Sequence, residues 1–134
     1  MLTEIIRAAL PRSKKKVALT VAFVGDAEIR RLNRRYRGRD EVTDVLSFPL
    51  AGGFWPKQEQ ELGDIIISVS EARRETKRFG RKYRDEIALL VVHGVLHLLG
   101  FDHVKKSERK RMFGRQNRIM KKLGAGKEAL FQTN

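Results

Sequence analysis

The chain has 134 residues, no cysteine and a formal net charge of +13 at pH 7, with 41% hydrophobic and 34% charged residues. This length suits one domain with one core, and this balance of residues excludes general disorder and an integral membrane protein. The absence of cysteine excludes disulfides and thiolate zinc sites, so only His, Asp and Glu side chains remain as metal ligands.

The amino-terminal sequence does not have the order of a secretory signal. Its apolar stretch precedes the basic cluster at 14–16, and no small-residue cleavage site follows. The longest apolar run begins at Ile87, is broken by two histidines and a glycine, and falls short of the roughly 20 residues that span a bilayer. We therefore expect a cytoplasmic protein without a transmembrane helix, folded as a single domain over 1–134 with a frayed tail at 125–134.

The first predicted strand and helix follow the basic cluster. VALTVAFV at 17–24 is rich in β-branched and aliphatic residues and predicts a buried strand that ends at Gly25. Asp26 is the expected N-cap of a helix in which apolar residues recur at helical spacing while arginines fill the opposite face. Gly38 is expected to end this basic amphipathic helix.

Two more strands are predicted in the middle of the chain. They are TDVLSF at 43–48, which a proline ends, and GDIIISV at 63–69. The connection over 49–62 holds two glycines, two prolines and the only tryptophan, which is typical of a functional loop or of an insertion that varies within a family. Phe54 and Trp55 are candidates either to stack on bases or to fill a gap beside the core.

Three helices are predicted in the second half of the chain. Ser70 is the expected N-cap of a short surface helix that ends at Gly80. The segment 83–100 is apolar almost all the way round from its second turn onward, which is typical of a helix enclosed by the rest of the fold. The last helix, over 107–124, has an apolar face formed by Met112, Phe113, Gln116, Ile119, Met120 and Leu123. These elements predict an α+β fold, in which a small mixed β-sheet packs with helices around the central, histidine-bearing helix.

All three histidines of the chain lie within HGVLHLLGFDH at 93–103. His93 and His97 are four residues apart on the central helix, so their side chains share a face and can converge on one ion. Gly100 is expected to end the helix in a left-handed turn, after which His103 can approach the same point. Three neutral imidazoles with a vacant position for water are typical of catalytic zinc. The alternative is core histidines bonded to the backbone, but an unpaired buried imidazole costs roughly 1–3 kcal/mol, which makes three in one apolar patch expensive.

Two histidines at this spacing also occur in metallopeptidases, where a glutamate after the first histidine is the general base. Gly94 occupies that position here, and a glycine cannot accept a proton but allows close backbone packing. Peptidase activity would therefore need a base elsewhere, such as Glu71 or Glu86. Asp102 has three open roles: orienting a ligand, capping the next helix or completing the coordination.

The histidine segment resembles the signature of the YbeY family, metal-dependent endoribonucleases involved in ribosomal RNA maturation. YRGRDEVTDVLSFP at 36–49 and GDIIISV at 63–69 are similar to the other two recurrent blocks of that family, in the same order and at similar spacing. The resemblance covers roughly residues 17–123. The chain departs from the family pattern in its short amino terminus and at Phe101, where the family commonly has tyrosine, so no hydroxyl can act at that position.

The resemblance implies that His93, His97 and His103 bind one zinc-like ion per chain. Imidazoles also accept other divalent transition metals, such as nickel, copper or cobalt, so the metal itself stays open. The resemblance gives Arg37 a catalytic or RNA-positioning role, which suits a guanidinium because its charged fork binds phosphate. Without the resemblance, Arg37 would be one solvated arginine among many. Further RNA contacts are predicted at Arg34, Arg35, Ser47, Arg73 and Arg74.

The implied function is that of a zinc-dependent endoribonuclease that prefers single strands and acts in ribosomal RNA maturation, at the 16S rRNA 3′ end, and in ribosome quality control. The implied partners are RNA, the small ribosomal subunit and a ribosome-associated GTPase or ribosomal protein. The net charge fits a polyanionic partner, although a basic solubility device would have the same charge. The attacking group is either a water at the ion or the RNA 2′-hydroxyl.

Two other functions remain open from the sequence. The first is an RNA-binding and ribosome-binding assembly factor whose metal is structural, which would show a closed site with four ligands. The second is a metallopeptidase, for which peptide cleavage should survive an excess of RNA.

Overall fold

The structure is a computed structural model that describes residues 1–12, 17–49, 61–102, 104–126 and 130. Within these residues the elements follow in the order α1 (Leu2–Ala9), β1 (Ala18–Val24), α2 (Asp26–Arg37), β2 (Val45–Pro49), β3 (Glu61–Ser68), α3 (Val69–Phe79), α4 (Tyr83–Leu98) and α5 (Lys106–Lys122). The predicted α+β class is confirmed. The predictions for Phe54, Trp55, His103 and most of the tail fall outside the described residues.

The three described strands form one mixed sheet in the order β1-β3-β2. β1 is parallel to β3, whereas β2 is antiparallel to it. Because successive side chains of a strand lie on opposite faces of the sheet, β3 contributes residues to two hydrophobic clusters. Ile65 and Ile67 face the core built around α4, and Ile66 packs against a second cluster under α2 that contains Ile29 and Phe48.

The prediction that β1 is buried was wrong. Its residues are all exposed or half-buried, and Phe23 keeps 44% of its surface exposed. Among the described strands β1 lies at the edge of the sheet and pairs with β3 alone. Its apolar residues therefore support strand pairing and are only partly covered.

α4 is the central helix, as predicted. Eleven of its sixteen residues are buried, and Val91, Val92, Val95 and Leu96 have no exposed surface. It contacts α1, α3, α5 and both β2 and β3. Among the helices of the described ranges, none combines the length and the apolar character needed to cross a membrane.

Two predicted helix caps were misplaced. The N-cap of α2 is Gly25, so Asp26 is the first helical residue, and the N-cap of α3 is Ser68 where Ser70 was expected. β3 runs into α3 without an intervening loop, and the hydroxyl of Ser68 accepts a hydrogen bond from the Glu71 backbone N–H at 3.2 Å. The predicted glycine positions after the helices are confirmed by left-handed φ angles at Gly38, Gly80, Gly100 and Gly124.

Gly94 lets α4 lie directly against β3. A Cβ at this position would be 2.9 Å from Ile65 Cγ2 and 3.0 Å from Ile65 Cδ1. Ile65 is fully buried and β-branched, so it has little freedom to move aside. This contact confirms the expectation that Gly94 serves close packing.

We expect Gly94→Ala to lower the free energy of unfolding by about 1–3 kcal/mol. The energetic cost of overpacking against Ile65 should exceed the gain in helix propensity from the added methyl group. Gly114→Ala is the matched control, since Gly114 is also inside a helix and a Cβ there meets nothing within 4 Å. The control should gain about 0.5–1 kcal/mol in urea unfolding. Equal stability of the two variants would contradict the packing role.

Candidate active site

A cleft of about 540 Å³ opens between the carboxyl-terminal half of α4 and the strand β2. Its lining includes Arg37, Asp44, Ser47, His93, His97 and Phe101. The cleft therefore joins two sequence segments that are distant in the chain, 37–49 and 93–102.

His93 and His97 direct their rings at the same point, as their spacing predicts. The two Nε2 atoms are 3.1 Å apart, with ring centroids at 4.6 Å and an interplanar angle of 79°. Both side chains are half-buried in the cleft wall. Two ring nitrogens at this separation repel each other unless a proton or a cation lies between them.

Gln116 of α5 determines which nitrogen of His93 carries hydrogen. The His93 Nδ1 lies 3.0 Å from the Gln116 Oε1, and Gln116 is only 3% exposed. An amide oxygen only accepts, so the Nδ1–H donates and the Nε2 lone pair is directed at His97. The ring of Phe113 stacks on His93 with centroids 6.2 Å apart. A hydrogen-bonded second ring nitrogen is the usual arrangement for a metal-ligating histidine.

The chemistry of this donor pair fits a zinc-like ion. Tetrahedral zinc with Zn–N distances of about 2.0–2.1 Å holds two nitrogens about 3.3 Å apart, close to the separation observed here. In the described ranges no third His, Asp or Glu joins the pair in a metal-binding group, and His103 lies outside those ranges. The role of His103 as third ligand stays a prediction.

The glutamates considered as the general base of a metallopeptidase do not line the described part of the cleft. Gly94 has no room for a glutamate, because a Cβ there would already be 2.9 Å from Ile65. Glu86 is fully buried and Glu71 is paired with Arg74, and neither lines the cleft. None of these three positions therefore supplies the general base of a metallopeptidase.

Arg37 is the last residue of α2 and extends into the cleft. Its Nη2 donates a hydrogen bond to the backbone carbonyl of Ser47, and its guanidinium lies 5.2 Å from the ring centroid of Phe48. These contacts hold the charged group beside β2, where it shares the cleft with His93 and His97. Its catalytic or RNA-positioning role stays a prediction.

The other predicted RNA contacts lie at different distances from this centre. Ser47 lines the cleft, and its hydroxyl donates to the Gly94 carbonyl at 3.4 Å. Arg34 and Arg35 are exposed and line a separate groove along α2. Of these three residues, Ser47 is the one that the fold brings beside the histidines.

The two predicted contacts on α3 have partners of their own. The Arg73 guanidinium lies 5.7 Å from the ring centroid of Tyr83. Arg74 donates to Asp26 Oδ1 and to Glu71 Oε2, both at 2.8 Å, and the hydrogen bond from Arg74 holds the pKa of Asp26 below its usual value. Neither arginine lines the cleft, so the geometry gives Arg74 a structural ion pair.

The turn after α4 completes the cleft. Gly100 has φ +98°, and the Phe101 N–H donates to the Leu96 carbonyl at 3.0 Å, which returns the chain toward the histidines. Asp102 lines the cleft and does not cap α5, whose N-cap is Lys105 without a side-chain hydrogen bond. The capping role considered for Asp102 was therefore wrong.

Two residues of the site escaped sequence analysis. Gln116 was assigned to an apolar face, and a polar residue among buried apolar ones is the signal that was available. Asp44 lies in the block at 36–49 and lines the cleft, but nothing in its local sequence indicates that it shares a cleft with the histidines.

Comparison with known proteins gives consistent matches. The sequence model of the family described as Endoribonuclease YbeY matches residues 1–124. Endoribonuclease YbeY of Halalkalibacterium halodurans is 43% identical over 114 residues, covering 79% of this chain and 72% of the relative. That of Caldanaerobacter subterraneus subsp. tengcongensis is 39% identical over 136 residues, covering 92% and 86%. The solution structure of TM1509 from Thermotoga maritima matches with TM-score 0.62 and 31% identity, covering 91% of this chain and 75% of that one.

Proposed function

Because the chain belongs to the Endoribonuclease YbeY family and is therefore an RNA-cleaving hydrolase, we propose that it is a zinc-dependent enzyme that prefers single strands and acts on ribosomal RNA. The observation that carries this proposal is the 3.1 Å convergence of the His93 and His97 nitrogens in a cleft that Arg37 also lines. An open cleft with a guanidinium beside the nitrogens suits catalysis better than a closed structural site.

In this proposal His93, His97 and His103 hold the ion, with Gln116 fixing the orientation of His93. When bound, the ion acts as a Lewis acid that polarises a phosphoryl oxygen and increases the acidity of the attacking group. Neutral imidazoles leave the positive charge of the ion undiminished, which suits an anionic substrate.

Arg37 binds the phosphate group of the phosphodiester bond that is cleaved. Its forked guanidinium group stabilises the negative charge that develops in the transition state. The Ser47 carbonyl and the ring of Phe48 hold Arg37 in place before the substrate arrives. The Arg37 side chain therefore loses little conformational freedom when RNA binds. The exposed arginines of α2, among them Arg34 and Arg35, extend the positive surface along the RNA backbone.

The finer biological assignment rests on the family. We expect action in the cytoplasm at the 3′ end of 16S rRNA, a part in ribosome quality control, and contact with the small ribosomal subunit together with a GTPase or ribosomal protein. Cosedimentation with small ribosomal subunits tests the predicted contact with the ribosome. The expected result is binding that persists when the salt concentration is raised.

The direct test measures metal content and cleavage on the same preparation. Elemental analysis should give one zinc per chain, and an unpaired RNA oligonucleotide should be cut faster than the same sequence in a duplex. A metal-free preparation that cuts RNA at full rate would overturn the proposal. A 2′,3′-cyclic phosphate on the product would identify the RNA 2′-hydroxyl as the attacking group, and its absence would favour water.

Gln116→Met should lower zinc affinity by about 10- to 100-fold, because the Nδ1–H of His93 loses its acceptor while the volume of the side chain is kept. Gln116→Glu is the matched variant, since a carboxylate accepts the same hydrogen bond and should retain or raise the affinity. Competition with a chromophoric chelator measures both. Equal affinity of the Met variant and the native protein would exclude a supporting role for Gln116.

A further inference from the structure

Three carboxyl groups from three parts of the chain meet behind the cleft. Glu86 of α4 has no exposed surface, and its Oε2 accepts a hydrogen bond from Arg81 Nη1 at 2.9 Å. The other oxygen, Oε1, is also buried and has no hydrogen-bond donor among the described residues. A buried carboxylate oxygen without a donor is costly, so a proton on a neighbouring group is the expected remedy.

Glu75 of α3 is the group that can supply this proton. Its half-buried side chain contacts the carboxyl groups of both Glu86 and Asp44. Burial, followed by these two contacts, raises the pKa of Glu75 from 4.5 to about 10. Glu75 is therefore neutral at pH 7, and its O–H can donate to one of the two neighbouring carboxylates.

The backbone connects this cluster to the cleft on both sides. The Ser68 N–H donates to the Asp44 carbonyl at 2.9 Å, which fastens the start of α3 to the residue that precedes β2. Asp44 itself lines the cleft. On α4, Glu86 precedes His93 by seven residues, so the two lie on the same face about 10 Å apart along the helix axis.

We propose that Glu75, as a neutral carboxyl group, is a positioning residue that bridges Glu86 on the histidine-bearing helix to Asp44 in the opposite wall of the cleft. The bridge fixes the spacing between α4 and the start of β2, and so the spacing between the histidine pair and the residues that hold Arg37. Arg81 balances the charge of Glu86, which leaves Asp44 as the second carboxylate in contact with Glu75. The effect on cleavage rests on the proposed function, whereas the bridge itself does not.

The bridge makes the stability of the fold depend on pH. Since the folded-state pKa of Glu75 is raised, its contribution to stability is full below about pH 4.5 and declines as the pH rises toward 10. Above that range Glu75 is itself charged and lies in contact with the carboxyl groups of Glu86 and Asp44. Glu75→Gln, which is neutral at every pH, should not show this decline. Glu71→Gln is the control, because Glu71 lies one turn earlier on α3 and pairs with Arg74 outside the cluster.

The first test is a carbon-13 NMR titration of the glutamate side-chain carboxyl groups in the native protein. We expect the Glu75 resonance to show no ionisation below pH 8. Ionisation of Glu75 near pH 4–5 would overturn the proposal. This readout is independent of RNA cleavage, so it also decides the case if the protein cuts no RNA and the proposed function fails.

The second test is kinetic, at pH 7 with the zinc-loaded protein and an unpaired RNA oligonucleotide. Glu75→Gln keeps a hydrogen-bond donor, so its kcat should stay within about twofold of the native value. Glu75→Leu should lower kcat about 10-fold or more at unchanged KM, because a displacement of the histidine pair relative to Arg37 slows the reaction. Native kcat in Glu75→Leu, or an equal loss in Glu75→Gln, would overturn the proposal. If Glu75→Leu does not fold, Glu75→Gln and the titration still decide it.

Discussion

Replacing His97 with alanine is expected to remove the bound metal and to lower kcat/KM for RNA cleavage by about 10³-fold or more, because a bound ion contributes several kcal/mol to the transition state and each ~1.4 kcal/mol is a factor of ten. The Nε2 of His97 lies 3.1 Å from that of His93, so its loss leaves one ligand of the pair. Elemental analysis and initial rates measure the two effects. His103→Ala should give the same result if His103 is the third ligand.

The fold should survive the change at His97, whose side chain is half-buried beside the cleft. Circular dichroism checks this, with Gly114→Ala as a folded reference, because a Cβ added at Gly114 meets nothing within 4 Å. Full metal content and activity in His97→Ala would exclude the site. If His97→Ala unfolds while a folded Arg37→Ala cleaves RNA normally, the metal has a structural role and Arg37 is not a catalytic residue.

Arg37→Ala should lower kcat by about 10²–10³-fold with zinc content unchanged, since one donor to the developing charge is lost. Arg37→Lys should recover only part of the rate, because an ammonium lacks the bidentate fork that Arg37 presents beside Ser47. Single-turnover cleavage of an unpaired RNA oligonucleotide separates this effect from product release.

Arg34→Ala is the matched comparison for Arg37. Arg34 lies one turn before Arg37 on α2 but lines the separate groove along that helix. We expect it to raise KM and to reduce the salt slope of RNA binding by about 1, as a backbone contact does, without a comparable loss in kcat. A kcat for Arg37→Ala equal to that of Arg34→Ala would assign both arginines to binding alone.

Local periodicity was enough to predict the parts of the site that lie on one element. The i, i+4 spacing of His93 and His97 placed both rings on one helical face, and the apolar surround placed that helix at the centre. Gly100 was predicted to end α4 because a left-handed turn favours glycine, and its φ is +98°. These features depend on a few neighbouring residues and on backbone sterics.

Predictions failed where two local signals compete. Ser70 and Asp26 are good capping residues by composition, yet Ser68 caps α3, and Asp26 enters α2 with its carboxylate accepting from Ser68 and Arg74. β1 has the composition of a buried strand but lies at the sheet edge, because strand order is set by pairing with β3. Neither the capping residue of a helix nor the position of a strand in the sheet can be predicted from its sequence neighbours alone.

The sequence by itself determined the α+β class, the central helix, the paired imidazoles and, through its resemblance, the family. Tertiary structure alone decided which distant side chains meet there: Gln116 behind His93, Arg37 beside Ser47, and Glu75 between Asp44 and Glu86. Helix and strand periods follow from backbone geometry that each short segment carries. Contacts between segments follow from packing, since the free energy that brings them together comes from burying the apolar faces of several elements at once.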